Sequence, residues 1–348
     1  MRRIILKFML LIAILVALSI PTLVGAADQA VKDANVDKIG IYHAILIGIS
    51  KYNNFDRLDS PISDVEELGK ILTKDYGFQD VIYITDKSDI KPTASNIIKT
   101  ISDKAESLTE NDNLLIYYAG HGNLKEKTKA GYWIPIDGKA DDVSTWIDHR
   151  QVTDFLESEN FKIKNFLLVA DSCYSGQMKS RSIKITKGND VIEMGLKPSR
   201  ELITSGGVEA VTDAVKGSQH SLFAHYFLEA LKDNKNRYID AASLVDQKVI
   251  PKVKELGKQT PQHSRFVTAM DKDGFFVLTK LGAALPKTKV EEISDQIAAL
   301  NARIVEQDKI LARERNERVL IEKNNEELRK QFELAKDELE VNKGLGIY

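Results

Sequence analysis

The sequence predicts an α/β domain with a mostly parallel six-stranded sheet flanked by helices, followed by a C-terminal coiled-coil helix. Three observations carry this. Short apolar, β-rich runs alternate with amphipathic stretches of helical period, the pattern that gives parallel sheets. The first of these runs, His43 to Ile49, is continuously apolar after its histidine rather than alternating, as in a strand covered on both faces. Beyond residue 284 the composition turns to Glu, Lys, Arg, Leu, Ile and Asn, with apolar residues at a 4-3 spacing.

Ser60-Pro61 ahead of Ile62 to Tyr76 reads as an N-cap, a proline at the first helical position and a helix. Val81 to Thr85 is the second strand. Thr93 to Leu108 is the second helix, with Ile97, Ile98, Ile101, Ala105 and Leu108 on its apolar face. Leu114 to Ala119 and Asn165 to Ala170 are the third and fourth strands, with a helix near Arg150 to Glu159 between them. Glu201 to Thr204 is the fifth and Gly274 to Thr279 the sixth, with helices near Ser221 to Lys232 and Ala241 to Leu256 between. The domain therefore spans residues 40–283, a linker 284–292 and a coiled coil 293–341. Ile293, Ile297, Leu300, Ile304 and Leu311 open the seam, and Ile321, Leu328, Phe332, Ala335 and Leu339 continue it. Gln307, Glu314, Arg318 and Asn325 interrupt it. The pattern predicts a homo-oligomer or a helical partner; a solvated single helix, or one folded back on the domain, is the alternative.

With 49 Lys+Arg against 51 Asp+Glu in 348 residues, the net charge is -2, so no electrostatic case exists for a nucleic-acid partner. Arg2, Arg3 and Lys7 precede an apolar run from Phe8 to Ile20, then Pro21 and Val24-Gly25-Ala26. This is the form of a signal peptide, residues 1–26, cleaved after Ala26, with residues 27–39 a polar lead; a retained membrane anchor is the alternative. Either way the folded part is expected outside the cytoplasm, secreted or periplasmic. Exported proteins usually pair their cysteines, yet Cys173 is the only one. A lone thiol in an oxidising compartment has to be buried or used.

Two polar segments fall directly after strands. Gly120-His121-Gly122 follows the third, and Asp171-Ser172-Cys173-Tyr174-Ser175-Gly176 follows the fourth. In an open parallel sheet, groups at the carboxyl ends of strands converge on the ligand crevice. Cysteine attacks as thiolate, and an adjacent imidazole supplies the base. The amides of Gly122 and Cys173 are the natural donors to an oxyanion. His43, His149, His220, His225 and His263 show no metal-ligand spacing, and no second cysteine is present for a zinc site. No Gly-x-Ser-x-Gly elbow surrounds Ser172 or Ser175.

Tyr-Tyr-Ala-Gly-His-Gly (117–122) and Asp-Ser-Cys-Tyr-Ser-Gly (171–176) resemble the two catalytic blocks of the caspase/metacaspase cysteine peptidases, of caspase-haemoglobinase fold. The histidine and cysteine are 52 positions apart, against about 50 in caspases. Ala44 to Tyr52, with Leu58 to Leu68 after it, resembles the family's first strand and helix, so the likeness covers most of residues 40–280. It implies Cys173 as nucleophile, His121 as general base, protein or peptide substrates, and no required cofactor. Caspases proper carry Gln-Ala-Cys at the nucleophile; Asp171-Ser172-Cys173 is closer to metacaspases, in which acids select Arg or Lys. Asp171 points to the same side as Cys173 in an extended segment, and Asp64 matches the second acid of that pocket. A bond to local amides and the helix N-terminus are their respective alternative roles.

The resemblance also implies that Thr204-Ser205-Gly206-Gly207 lines the substrate groove, making Ser205 and Gly206 candidate binding residues. The basic stretch Gln177 to Arg200 lies where caspases are cut between subunits, so self-processing is expected there, an ordinary exposed loop being the alternative. Asp137, Asp141, Asp142 and Asp148 stand where some metacaspases bind activating calcium. Ser180, where another acid would be expected, favours a solvated acidic loop instead. The resulting expectation is an exported cysteine endopeptidase. The alternatives are an inactive caspase-like scaffold acting through its coiled coil, and a non-peptidase thiol hydrolase on the same fold.

Overall fold

The computed structural model describes residues 39–125, 127–128, 130–157, 161–173, 180–182, 191–207, 217–256, 259–283 and 289–344. The expected signal peptide 1–26 and most of the polar lead lie outside these. Among the described residues no helix is long and apolar enough to cross a membrane. Residues Ala26–Pro286 form one compact unit, and the C-terminal helix belongs to another.

In chain order the unit contains β1 (Ile41–Gly48), α1 (Pro61–Tyr76), β2 (Asp80–Thr85), α2 (Ala94–Ser107) and β3 (Asp112–Ala119). A side hairpin with one further strand follows: β4 (Gly122–Lys125), β5 (Ala130–Trp133) and β6 (Ile147–Asp148). Next come α3 (His149–Thr153), β7 (Asn165–Asp171), the short β8 (Ser180–Ser182), α4 (Val191–Gly195) and β9 (Ser199–Thr204). The unit closes with α5 (Leu222–Asp233), β10 (Tyr238–Asp240), α6 (Ala241–Leu244), α7 (Ile250–Leu256), β11 (Gln262–Phe266) and β12 (Val277–Thr279). A π-turn over Val245–Val249 joins α6 to α7.

The main sheet runs β2-β1-β3-β7-β9-β11-β8. Its first five strands are parallel, and β11 and β8 are antiparallel to their neighbours. Every residue of β3, β7 and β9 is buried, because helices cover both faces. On one face Leu46, Leu115, Leu167 and Ile203 pack with Val65 and Leu68 of α1 and Phe223 and Phe227 of α5. On the other, Ile45, Leu114, Ile116, Phe166 and Leu168 pack with Ile97 and Ile101 of α2. α2 starts as the sequence suggests, the Thr93 side chain accepting from the Asn96 amide.

Buried side chains pin the register where the strands begin. Asn165 Nδ2 donates to Asn113 Oδ1 at 2.8 Å, and Ser199 Oγ donates to Asn165 Oδ1 at 3.0 Å, linking β3, β7 and β9. Asn113 Nδ2 donates in turn to the Ile39 carbonyl at 2.9 Å. A slip of one residue would break these bonds inside the core and leave buried amides unpaired.

Three sequence expectations need correction. Gly274 to Thr279 is not the sixth strand of the main sheet: β12 pairs with β10 in a separate two-stranded sheet. The sixth place belongs to β11, which apolar patterning cannot reveal because it carries buried His263 and Arg265. Arg265 is paired with Asp271 at 2.9 Å and also donates to the Gly274 carbonyl. The C-terminal helix α8 (Lys289–Gly344) also begins inside the expected linker 284–292. The helix expected over Arg150 to Glu159 is α3 followed by a 3₁₀ turn, Asp154–Glu157.

His263 carries a testable charge. Its Nε2 lies 2.9 Å from Glu201 Oε2 on β9, both side chains being fully buried. Burial opposes protonation, but the Asp246 and Glu201 carboxylates outweigh it and raise the pKa to about 9. An unfolded histidine titrates near 6.5. The charged ring therefore stabilises the fold fully below that pH, and the contribution is lost as pH rises through about 9. Equilibrium denaturation from pH 6 to 10 is expected to show a decline of about 3 kcal/mol that His263→Gln lacks. Identical slopes in the two proteins would contradict this.

Candidate active site

The sheet itself brings the histidine and cysteine together. Ala119, the last residue of β3, lies opposite Asp171, the last of β7. His121 and Cys173 each stand two residues beyond, so their 52-position separation equals the register of the pair. Adjacent strands lie about 4.8 Å apart. The Gly120 amide continues the ladder to the Asp171 carbonyl at 3.4 Å. Cys173, the chain's only thiol, is half-buried.

Gly122 is required by this approach. A Cβ there would lie 2.2 Å from the Cys173 carbonyl oxygen and 3.3 Å from Ser172 Oγ. Its amide is also suitably turned. Ile134 donates to the His121 carbonyl at 3.0 Å, so one residue on, in an antiparallel ladder, the Gly122 amide points away from β5.

An aromatic shelf holds the imidazole. The His121 backbone amide donates to Tyr52 Oη at 2.8 Å, and the two rings are 4.7 Å apart. Tyr118 Oη donates to the His121 carbonyl at 2.7 Å and stacks on Trp133 at 4.2 Å. Nε2 of His121 lies 2.8 Å from the Asp56 carbonyl oxygen. A carbonyl only accepts, so Nε2 carries the proton and Nδ1 is the basic atom of the neutral ring.

Asp171 and Asp64 meet beside this pair. Asp171 Oδ2 accepts from Ser221 Oγ at 2.5 Å and from Tyr117 Oη at 3.3 Å. Asp64, in the first turn of α1, accepts from the Ser221 amide at 3.4 Å, and its Oδ1 is 2.7 Å from His220 Nδ1. Both carboxyls are buried. Burial, with repulsion from Asp171, lifts the Asp64 pKa to about 7 despite the His220 bond. The Tyr117 hydroxyl is pushed well up by burial and by the same two acids.

Ser205, at the end of β9, donates its amide to the Ala170 carbonyl at 3.0 Å and accepts from Gln259 at the same distance. It and buried Gly206 thus adjoin β7, the strand that leads to Cys173. All seven sequence-selected residues fall at the carboxyl edge of the sheet. Sequence reasoning missed Ser221 and His220, which join the acids across the fold, and the anchoring roles of Tyr52 and Asp56. Tyr52 does lie within the opening block of the resemblance; nothing local to Ser221 marks it beyond its place as an N-cap.

The acids after the histidine have local partners. Asp137 accepts from the Ala94 amide, Asp142 from Ser144, and Asp148 caps α3 and pairs with Arg150; Asp141 is exposed. Among the described residues no group of three or more His, Cys, Asp or Glu is arranged to hold a metal ion.

A mostly parallel sheet with histidine and cysteine at adjoining strand ends is the layout of a caspase-type domain. The family profile described as Caspase domain matches residues 41–270, and the chain belongs to that family. Metacaspase-1A of Aspergillus oryzae is 25% identical over 213 residues, covering 56% of this chain and 49% of the relative. Metacaspase-6 of Arabidopsis thaliana is 26% identical over 200 residues, covering 54% and 52%. Metacaspase-1 of Botryotinia fuckeliana is 28% identical over 150 residues, covering 38% and 34%. The chain thus spans between a third and about half the length of these curated relatives. The crystal structure of caspase-1 from Spodoptera frugiperda matches with a TM-score of 0.47 at 16% identity, covering 68% of this chain and 92% of that one.

Adding one methyl group tests the site geometry. Gly122→Ala must push the Cys173 carbonyl away, and the thiol-dependent peptide hydrolysis proposed below is expected to fall at least about 100-fold with a stability loss of about 1–3 kcal/mol. Full activity with unchanged melting would show that the strand ends do not approach in this way.

Proposed function

We propose that the chain is an exported cysteine endopeptidase that cleaves after Arg or Lys. The observation that carries the peptidase reading is the shared register of His121 and Cys173. Export rests on the N-terminal pattern of residues 1–26.

In this reading His121 Nδ1 takes the Cys173 proton and Sγ attacks the carbonyl carbon of the scissile bond. The amides of Gly122 and Cys173 receive the developing oxyanion. The tetrahedral intermediate collapses, the amine leaves with the proton from His121, and a thioester to Sγ remains. Water, deprotonated by His121, then attacks the thioester and releases the acid and the thiol.

The acid pair supports the specificity. Two carboxyls buried beside one another repel when both are charged, and a cation placed between them relieves that repulsion. An Arg or Lys side chain entering next to Cys173 supplies that cation, with Ser205 and Gly206 lining the approach. On purified protein, peptides with Arg or Lys before the cleaved bond are expected to be cut best and Asp worst, with activity absent from Cys173→Ala. A preference for Asp refutes the proposal.

Asp64 adds a pH signature. Its carboxyl is neutral below about 7 and charged above. The affinity of Cys173→Ala protein for an arginine peptide, measured calorimetrically, should therefore rise from pH 6 to 8. Asp64→Asn should flatten that rise; an unchanged rise excludes Asp64 from the pocket.

Self-processing between residues 177 and 200 belongs to the same proposal. Arg181 on β8 is an unsuitable target, because Asp271 and Asp273 hold its guanidinium. Lys179, Lys184 and Lys187 lie outside the described residues and are the expected sites. Intact-mass measurement should find cuts there in the wild type only. Cutting at Arg181, or in Cys173→Ala as well, would contradict this.

A further inference from the structure

α8 runs unbroken for 56 residues, about 84 Å at 1.5 Å per residue. Leu300, Ile304, Leu311, Ile321, Leu328 and Phe332 are each more than half exposed. A helix with its apolar stripe in water gains little from burial and calls for a partner. Together with the polar positions between them, these residues follow one 4-3 seam from 300 to 332. The intrahelical ion pairs Lys309–Glu306 and Lys330–Glu326 lie off that seam.

The interruptions of the seam are symmetric. Reflection about Asn316 maps Glu314 onto Arg318 and Gln307 onto Asn325. The same reflection maps Leu311 onto Ile321, Ile304 onto Leu328, and Leu300 onto Phe332. Every apolar position thus meets an apolar one, every polar position a polar one, and the two charges are opposite. Reflection is the operation that relates two antiparallel copies of one helix. It also sends each residue before a three-residue step to one after it, as an antiparallel seam requires.

We propose that α8 pairs with α8 of a second copy of the chain as an antiparallel coiled coil centred on Asn316, Glu314 of each copy facing Arg318 of the other. Competing arrangements are worse. A parallel in-register pair sets Glu314 against Glu314 and Arg318 against Arg318, two like-charge layers. Sliding the antiparallel pair one heptad puts Arg318 against Ile321 and Gln307 against Phe332. Sliding it the other way puts Glu314 against Leu311 and Asn325 against Leu300. In the proposed register the two chains enter the rod from opposite ends, about 80 Å apart. The inference goes beyond the peptidase reading and does not depend on it.

Charge reversal distinguishes the arrangements. The experiment uses the full chain carrying Cys173→Ala, with helix content checked by circular dichroism and mass by sedimentation equilibrium. Arg318→Glu should weaken dimerisation at least about tenfold, and Glu314→Arg combined with Arg318→Glu should restore it. A parallel dimer would tolerate Arg318→Glu, since one like-charge layer replaces another. Thiol placement gives a second readout. Mixed Leu311→Cys and Ile321→Cys chains should form a covalent dimer under mild oxidation, and neither should do so alone. Cross-linking of Leu311→Cys by itself, or a monomer at every concentration, overturns the proposal.

Discussion

The parallel pairing of β3 with β7 fixes the distance between an imidazole and a thiol that are far apart in the chain. Neither local loop determines that meeting. It follows from Ala119 lying opposite Asp171, and that register is held at the far end of the same strands by the buried chain of Ile39, Asn113, Asn165 and Ser199. A side-chain ladder at the beginning of the sheet thus sets the geometry at its end. Buried polar bonds of this kind add modestly to stability when made and are expensive when broken, so they specify one register among several that would bury similar apolar area. Gly122 then lets the chain after β3 approach the Cys173 backbone, and Gly120 makes room for the Tyr52 and Tyr118 hydroxyls.

The same edge of the sheet concentrates buried acidity. Asp64 comes from the first helix and Asp171 from the central strand, and Ser221 at the start of α5 bridges them through its amide and hydroxyl. Core packing alone gives no reason to bury two carboxyls together, and Asp64 responds by holding its proton to about pH 7. The imidazole and thiol thus stand on one side of this edge and two buried, hydrogen-bonded carboxyls on the other.

Much of this was legible because the central strands are buried on both faces and therefore written in continuous apolar residues. Leu114 to Ala119 and Asn165 to Ala170 could be placed, and with them the residues just beyond. β11 could not, because its inward positions are His263 and Arg265, whose charges are met by Glu201, Asp246 and Asp271 rather than by apolar neighbours. Val277 to Thr279 looked like a core strand because it is buried, but its partner is β10 in a small sheet outside the main one. The bridge through His220 and Ser221 was invisible for another reason. Its partners are more than 150 positions away for Asp64 and 50 for Asp171, and no local spacing encodes such contacts. The C-terminal seam was readable as a seam, whereas its reflection symmetry only matters once α8 is one unbroken helix.

The central claim is that the β3–β7 register makes His121 the base for Cys173, and the chain's single thiol makes this directly measurable. The rate of alkylation of the native protein by iodoacetamide, followed by intact mass from pH 5 to 9, reports the reactive thiolate alone. Fast alkylation is expected at neutral pH, with the profile moving towards that of an ordinary thiol near pH 8.5 in His121→Ala. Superimposable profiles for the two proteins would contradict it.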